Sequence, residues 1–143
     1  MTALVKEWVG KAEGDYSSAV LLLRSHKAEL NDSVRFHSQQ CAEKYLKALL
    51  QHRDTAFPKT HDLAELAKLL ARTDPECMLW LPQLEGLTKA AVEIRYPGVS
   101  STREEAREAL AVAEGVREWI RGLFQLRSDS TKRQSTTKKD KRR

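Results

Sequence analysis

Through most of this chain apolar residues recur every three to four positions, and no stretch shows the one-by-one alternation of a half-buried strand. That period gathers the apolar side chains of a segment on one side of an α-helix, and a helix with one apolar stripe must bury it against other helices. The pattern predicts an all-α protein, an antiparallel bundle of four to five helices. Leu4, Trp8, Ala12, Tyr16, Ala19 and Leu23 form the first stripe, on a helix from about Thr2 to Ser25. Asn31, Asp32 and Ser33 offer N-cap side chains to a second helix, about Ser33 to His52, whose apolar surface is Val34, Phe36, Cys41, Tyr45, Leu46, Leu49 and Leu50. Glu43 and Lys47 stand four apart on it, in the order that favours an ion pair.

Pro58 breaks the pattern, and Thr60 is the expected N-cap of a third helix from His61 to Arg72. Pro82 and Gly86 make the next segment harder to read: a short turn near Cys77 to Leu81, then a firmer helix from about Pro82 to Arg95, closed by Tyr96, Pro97 and Gly98. The last helix has the clearest start. Thr102 with Glu105 fits a capping box, Ser101 with Glu104 fits it one residue earlier, and the apolar stripe continues to about Leu126.

After Leu126 the composition changes. Residues 127–143 hold no aromatic or aliphatic side chain, and eight of the 25 Lys and Arg but only two of the 20 Asp and Glu fall there. The segment carries +6 of the net +5, leaving −1 on residues 1–126. Such a tail cannot bury enough surface to offset the entropy of ordering, so a domain of residues 1–126 followed by a disordered basic tail of residues 127–143 is expected. The tail suits non-specific, salt-dependent attraction to RNA or DNA, or to an acidic protein, or acts only as a solubilising extension.

Several classes of function drop out. The longest apolar run, Ala19 to Leu23, is far too short to span a bilayer, so no membrane partner is expected. The first ten residues place Lys6, Glu7 and Trp8 where an export signal needs an apolar stretch, which points to a cytoplasmic chain. Cys41 and Cys77 sit in apolar surroundings and read as reduced core thiols. No two His are four apart and no Cys/His/Asp cluster has ligand spacing, so neither metal nor cofactor is expected.

Three segments in order, Phe36-His37-Ser38-Gln39-Gln40-Cys41-Ala42-Glu43-Lys44-Tyr45-Leu46-Lys47-Ala48-Leu49, Pro58-Lys59-Thr60-His61-Asp62-Leu63 and Arg95-Tyr96-Pro97, give the chain a recognisable character. Together they resemble the prokaryotic HEPN domain family over roughly residues 1–126, with a face around Asp15 and Ala19 and the capped last helix continuing the likeness. The resemblance implies a helical bundle, usually a homodimer, often paired with a minimal nucleotidyltransferase (MNT) in a toxin–antitoxin-like module. Toxins of the family are metal-independent ribonucleases whose signature is an Arg, four to six residues, then a His.

This sequence departs from that signature. Arg24 has His26 too near and His37 too far, Arg35 has His37 too near, Arg53 reaches His61 across seven residues, and Arg95 has no His after it. Three readings follow. The chain is the toxin-type or nucleotide- or RNA-contacting component of an MNT pair; or a ribonuclease with a non-standard set, His61, Arg95 and Lys44; or a non-enzymatic dimeric scaffold. The candidate nucleotide or RNA contacts are Gln40, Glu43, Lys44, Lys47, His61, Arg95 and Tyr96. Gln40, Lys44 and Lys47 share a helical flank, which is either a solvated ion-paired face or the wall of a polar cleft. A guanidinium beside an aromatic ring, as at Arg95-Tyr96, can grip phosphate and stack on a base. Otherwise it serves a helix end. His61 is either a satisfied helix-start imidazole or an acid–base group.

Overall fold

A computed structural model describes residues 1–126, and the tail expected at residues 127–143 lies outside the described residues. Helix α1 runs over Ala3–Arg24, with the Thr2 hydroxyl accepting from the Val5 amide. Its buried residues are Val5, Val9, Ala12, Asp15 and Ala19, while Leu4 is exposed. The stripe is therefore rotated from the one read in sequence. Small and β-branched residues let α1 lie close to its neighbour, and Trp8 and Tyr16 pack at the margin.

A 3₁₀ turn, Ala28–Leu30, leads directly into α2, Asn31–His52. Asn31, Asp32 and Ser33 do not cap this helix, which has no side-chain cap. Asn31 and Asp32 are used elsewhere: the Asn31 amide donates to the Ser101 carbonyl at 3.2 Å, and Asp32 accepts from the Ser101 amide at 2.9 Å. The start of α2 is thus tied to the start of the last helix. Among the described residues no strand occurs, and α2 is the central rod, packed against four other helices. Most of its side chains from Ser38 to Leu50 are buried.

Helix α3, Leu63–Leu70, is shorter than expected and is capped by Asp62 rather than Thr60. Asp62 Oδ1 accepts from the Ala64 and Glu65 amides, while the Thr60 hydroxyl accepts from the Asp62 amide, one step outside the helix. The Leu63 amide is satisfied by Thr88 Oγ1. A 3₁₀ segment, Pro75–Trp80, matches the short turn expected there and leads into α4, Leu81–Glu93. Helix α5, Arg103–Leu123, starts with the Thr102–Glu105 capping box. Glycine is needed at position 115, because a Cβ there would lie 2.3 Å from the Trp80 ring.

Direction follows from the pairs that join the helices. Glu13 of α1 meets Arg117 of α5, and the Leu23 carbonyl meets Arg103, so α1 and α5 are antiparallel. Lys44 and His37 of α2 both reach Asp15, while Lys47 lies over Trp8, so α1 and α2 are antiparallel as well. It follows that α2 and α5 run in the same direction. One core, with Tyr45, Leu46, Leu49, Leu50, Leu66 and Leu70 at its centre, is shared by all five helices. Cys41 and Cys77 are buried free thiols; burial raises both, Cys77 to about 11, and the Cys77 thiol donates to the Ala67 carbonyl. No described helix is long and apolar enough to cross a membrane.

Candidate functional site

Helix α2 carries two polar groups built on one plan. In the first, Glu43 is almost wholly buried at its side chain, 4 % exposed. One carboxylate oxygen accepts from Gln39 Nε2 at 3.1 Å and faces His61 Nδ1 at 2.9 Å; the other accepts from Lys47 Nζ at 3.1 Å. Gln39 Nε2 also donates to the His61 carbonyl, and Gln40 donates to Gln39 Oε1. A buried carboxylate is tolerated only when its lone pairs are occupied, and here four partners occupy them or one another. Lys47 is buried in turn, its ammonium 5.7 Å from the Trp8 ring centre and 5.9 Å from that of Phe57. The i, i+4 pair expected from sequence is real, but it lies inside the molecule and not on a solvated face.

The second group brings together residues that are far apart in sequence. Asp15 of α1 is buried; one of its oxygens faces His37 Nδ1 at 2.8 Å and the other accepts from Lys44 Nζ at 2.6 Å. His37 and Lys44 stand seven apart, two turns, and so share a face of α2. With Nδ1 on a carboxylate, the imidazole turns Nε2 outward, and among the described residues Nε2 has no partner. The Phe36 ring, itself exposed, meets the His37 ring edge-on with centroids 5.2 Å apart.

The residues expected from sequence are thus divided. Gln40, Glu43, Lys47 and His61 form one connected network, Lys44 belongs to the Asp15 group, and Arg95 and Tyr96 stand just past the end of α4. Arg95 and Tyr96 are exposed, Tyr96 at 61 %, and among the described residues neither makes a side-chain hydrogen bond or ion pair. Among the described residues no hydrogen bond or ion pair joins Arg95 to His61 or Lys44. Asp15, His37 and Gln39 were missed as site residues. One signal was legible: Asp15 falls in register with Val5, Val9, Ala12 and Ala19, and a charge within a core stripe demands partners.

A further, partly buried network joins α1, α2 and α5. Arg117 of α5 makes two hydrogen bonds to Glu13, at 2.6 and 2.9 Å, and stacks over Tyr16 at 4.2 Å, while the Tyr45 hydroxyl also donates to Glu13. Burial pushes the Glu13 carboxyl up, but the hydrogen bonds from Arg117 and Tyr45 outweigh it and hold the group below the ordinary carboxylate range. Elsewhere a groove of about 460 Å³ runs beside Arg35, with Leu87, Ala90, Ala109 and Val112 in its lining; none of the expected site residues lines it. Among the described residues no group of three or more His, Cys, Asp or Glu is placed to hold a metal ion.

Comparison with known proteins agrees with this architecture. The crystal structure of an archaeal HEPN homologue matches with a TM-score of 0.63 and 28% identity, over 83% of this chain and 96% of that one. No curated protein matches significantly. The family model of the HEPN domain matches residues 5–123, which spans all five helices, and the chain belongs to the HEPN domain family.

Proposed function

We propose that this HEPN-domain protein is the nucleotide- or RNA-contacting component of a pair with a minimal nucleotidyltransferase, in a toxin–antitoxin-like module, and that it works as a homodimer. The observation that carries the contact is the Arg95–Tyr96 corner. An exposed aromatic beside a guanidinium, with no partner of their own among the described residues, is a surface available to a ligand rather than one used by the fold. Its chemistry suits phosphate and a stacked base. The α2 network offers a second kind of contact. Lys44 already neutralises Asp15 and Lys47 lies buried beside Glu43, so the exposed His61 and the partly exposed Gln40 suit the hydrogen-bonding edges of a base or ribose better than a run of phosphates.

Two measurements test the reading. Titration of a mononucleotide and of a short single-stranded RNA against wild type and Arg95→Ala is expected to show at least about tenfold weaker binding for the variant, the loss of one charge-assisted contact. Equal affinity removes Arg95 from the site. Co-expression with a minimal nucleotidyltransferase encoded beside the chain is expected to give a complex that survives moderate salt; separation at low salt argues against the pair.

A further inference from the structure

The groove of about 460 Å³ between α4 and α5 shares no residue with the two carboxylate groups of α2 or with the Arg95–Tyr96 corner. Its walls are regular. Gln83, Gly86, Leu87 and Ala90 of α4 follow the three-and-four spacing of one helix face, and Glu105, Glu108, Ala109 and Val112 of α5 do the same. Because the residues at the centre are small, the two faces do not fill the space between them. Gly86 is not required by packing: a Cβ there would meet nothing within 4 Å, in contrast to Gly115. Glycine inside a helix costs stability relative to alanine, and what it leaves here is room. The volume falls within the range of about 300–1,000 Å³ usual for small-molecule sites.

Arg35 of α2 reaches the same groove, and its side chain is only 11 % exposed. Its guanidinium is under-used. Nη1 donates to Ser101 Oγ at 2.8 Å, but Nε is buried with no partner, and among the described residues Nη2 makes no hydrogen bond. Buried donors left unpaired are rare in native proteins. Glu105 does not fill the gap. The capping box holds one of its oxygens on the Thr102 amide at 2.9 Å and leaves the other 4.0 Å from Nη1, beyond hydrogen-bond reach. Nε and Nη2 form one edge of the planar group, the fork that meets both oxygens of a carboxylate.

We propose that this groove binds a small monocarboxylic acid, its carboxylate on the Nε–Nη2 edge of Arg35 and its apolar body along Leu87, Ala90, Ala109 and Val112. The guanidinium, tethered through the one bond to Ser101, turns on binding to bring Nε to the ligand. Charge sets the head group. Glu105 and Glu108 stand on the rim, so one guanidinium matches a single negative charge, whereas a phosphate monoester brings close to two and meets both carboxylates.

The test is calorimetric titration of the full chain with octanoate. Wild type is expected to saturate at one octanoate per chain. Octanol, which has the same tail without the charge, and octyl phosphate, with the larger charge, are each expected to bind at least about tenfold more weakly. Arg35→Gln is expected to weaken octanoate binding at least about tenfold, the loss of a charge-assisted pair. Gly86→Leu fills the groove from within an intact helix and is expected to abolish binding with the helical circular dichroism unchanged; this variant decides alone if Arg35→Gln does not fold. Arg95→Ala is expected to bind octanoate as wild type does, which separates this site from the nucleotide- or RNA-contacting corner. The proposal is overturned by wild type that shows no saturable octanoate binding, or by Gly86→Leu binding as wild type does. Octanol or octyl phosphate binding as tightly as octanoate overturns the carboxylate assignment.

Discussion

Asp15 and Glu43 each hold an imidazole on one carboxylate oxygen and a lysine ammonium on the other, but water reaches the two groups at different places. At Glu43 the lysine is the hidden member, 9 % exposed under two aromatic rings, and the imidazole of His61 is the open one at 73 %. At Asp15 both partners are partly open. The same chemistry therefore serves two ends. Glu43 and Lys47 fasten α2 to the segment before α3 and to the Trp8–Phe57 pair, whereas Asp15 presents a nitrogen and an ammonium side by side. Which of these a charged cluster becomes depends on the neighbours that cover it, not on the charged residues themselves.

The sharpest way to break this contrast is to remove each carboxylate. Glu43→Ala leaves a buried ammonium uncompensated, and a loss of about 3–5 kcal/mol in urea unfolding is expected. Asp15→Ala leaves partners that can turn to water and is expected to cost about 1–3 kcal/mol. Equal losses at the two positions would mean that cover does not set the difference.

A third carboxylate sharpens the comparison because its partner is always charged. Asp74 accepts from Arg53 Nε and Nη2 at 2.8 and 2.7 Å, and these bonds hold its carboxyl below the ordinary range. A depressed folded value means stability that is complete above the unfolded carboxylate value near 3.8 and is lost as pH falls through the folded one. Asp74→Asn is expected to be less stable at neutral pH by about 1.5–3 kcal/mol and to lose less on acidification, read from thermal melts between neutral and strongly acidic pH. Identical acid sensitivity in both proteins would assign the acid lability elsewhere.

Smaller still, His61→Ala removes a mostly exposed donor and is expected to cost about 0.5 kcal/mol. Faster amide exchange confined to the segment between α2 and α3 would show that the imidazole acts as a strap. Removing residues 127–143 is expected to leave the unfolding midpoint unchanged while lowering the salt slope of single-stranded RNA binding by about 4, from the loss of six net charges. An unchanged slope would place the electrostatic contact in the bundle.

Much of the fold was legible because helix period and the Thr102–Glu105 box are local. What was not legible is long-range. Asn31 and Asp32 look like caps in sequence, and only the arrival of Ser101 seventy residues later takes them away. Helix ends were hidden for another reason: α2 and α5 close in paired turns where the Thr55 amide reaches the Leu50 carbonyl and the Leu126 amide the Arg121 carbonyl, but Asp54 and Gln125 take the left-handed position that glycine usually marks. At the site, the spacing of Glu43 and Lys47 showed the pair and concealed its burial. Nothing in the local spacing of Lys44 pointed to Asp15, because that contact exists only once α1 has docked.

Gly115 and Trp80 give the molecule a built-in optical gauge. The indole sits where a methyl group cannot, so its emission depends on the 3₁₀ segment lying against α5 at that one point. With Trp8 and Trp119 replaced by Phe, Trp80 fluorescence would report the docking of the Pro75–Trp80 segment separately from the melting of the bundle. In that background Gly115→Ala should move the emission to the red before any helix is lost.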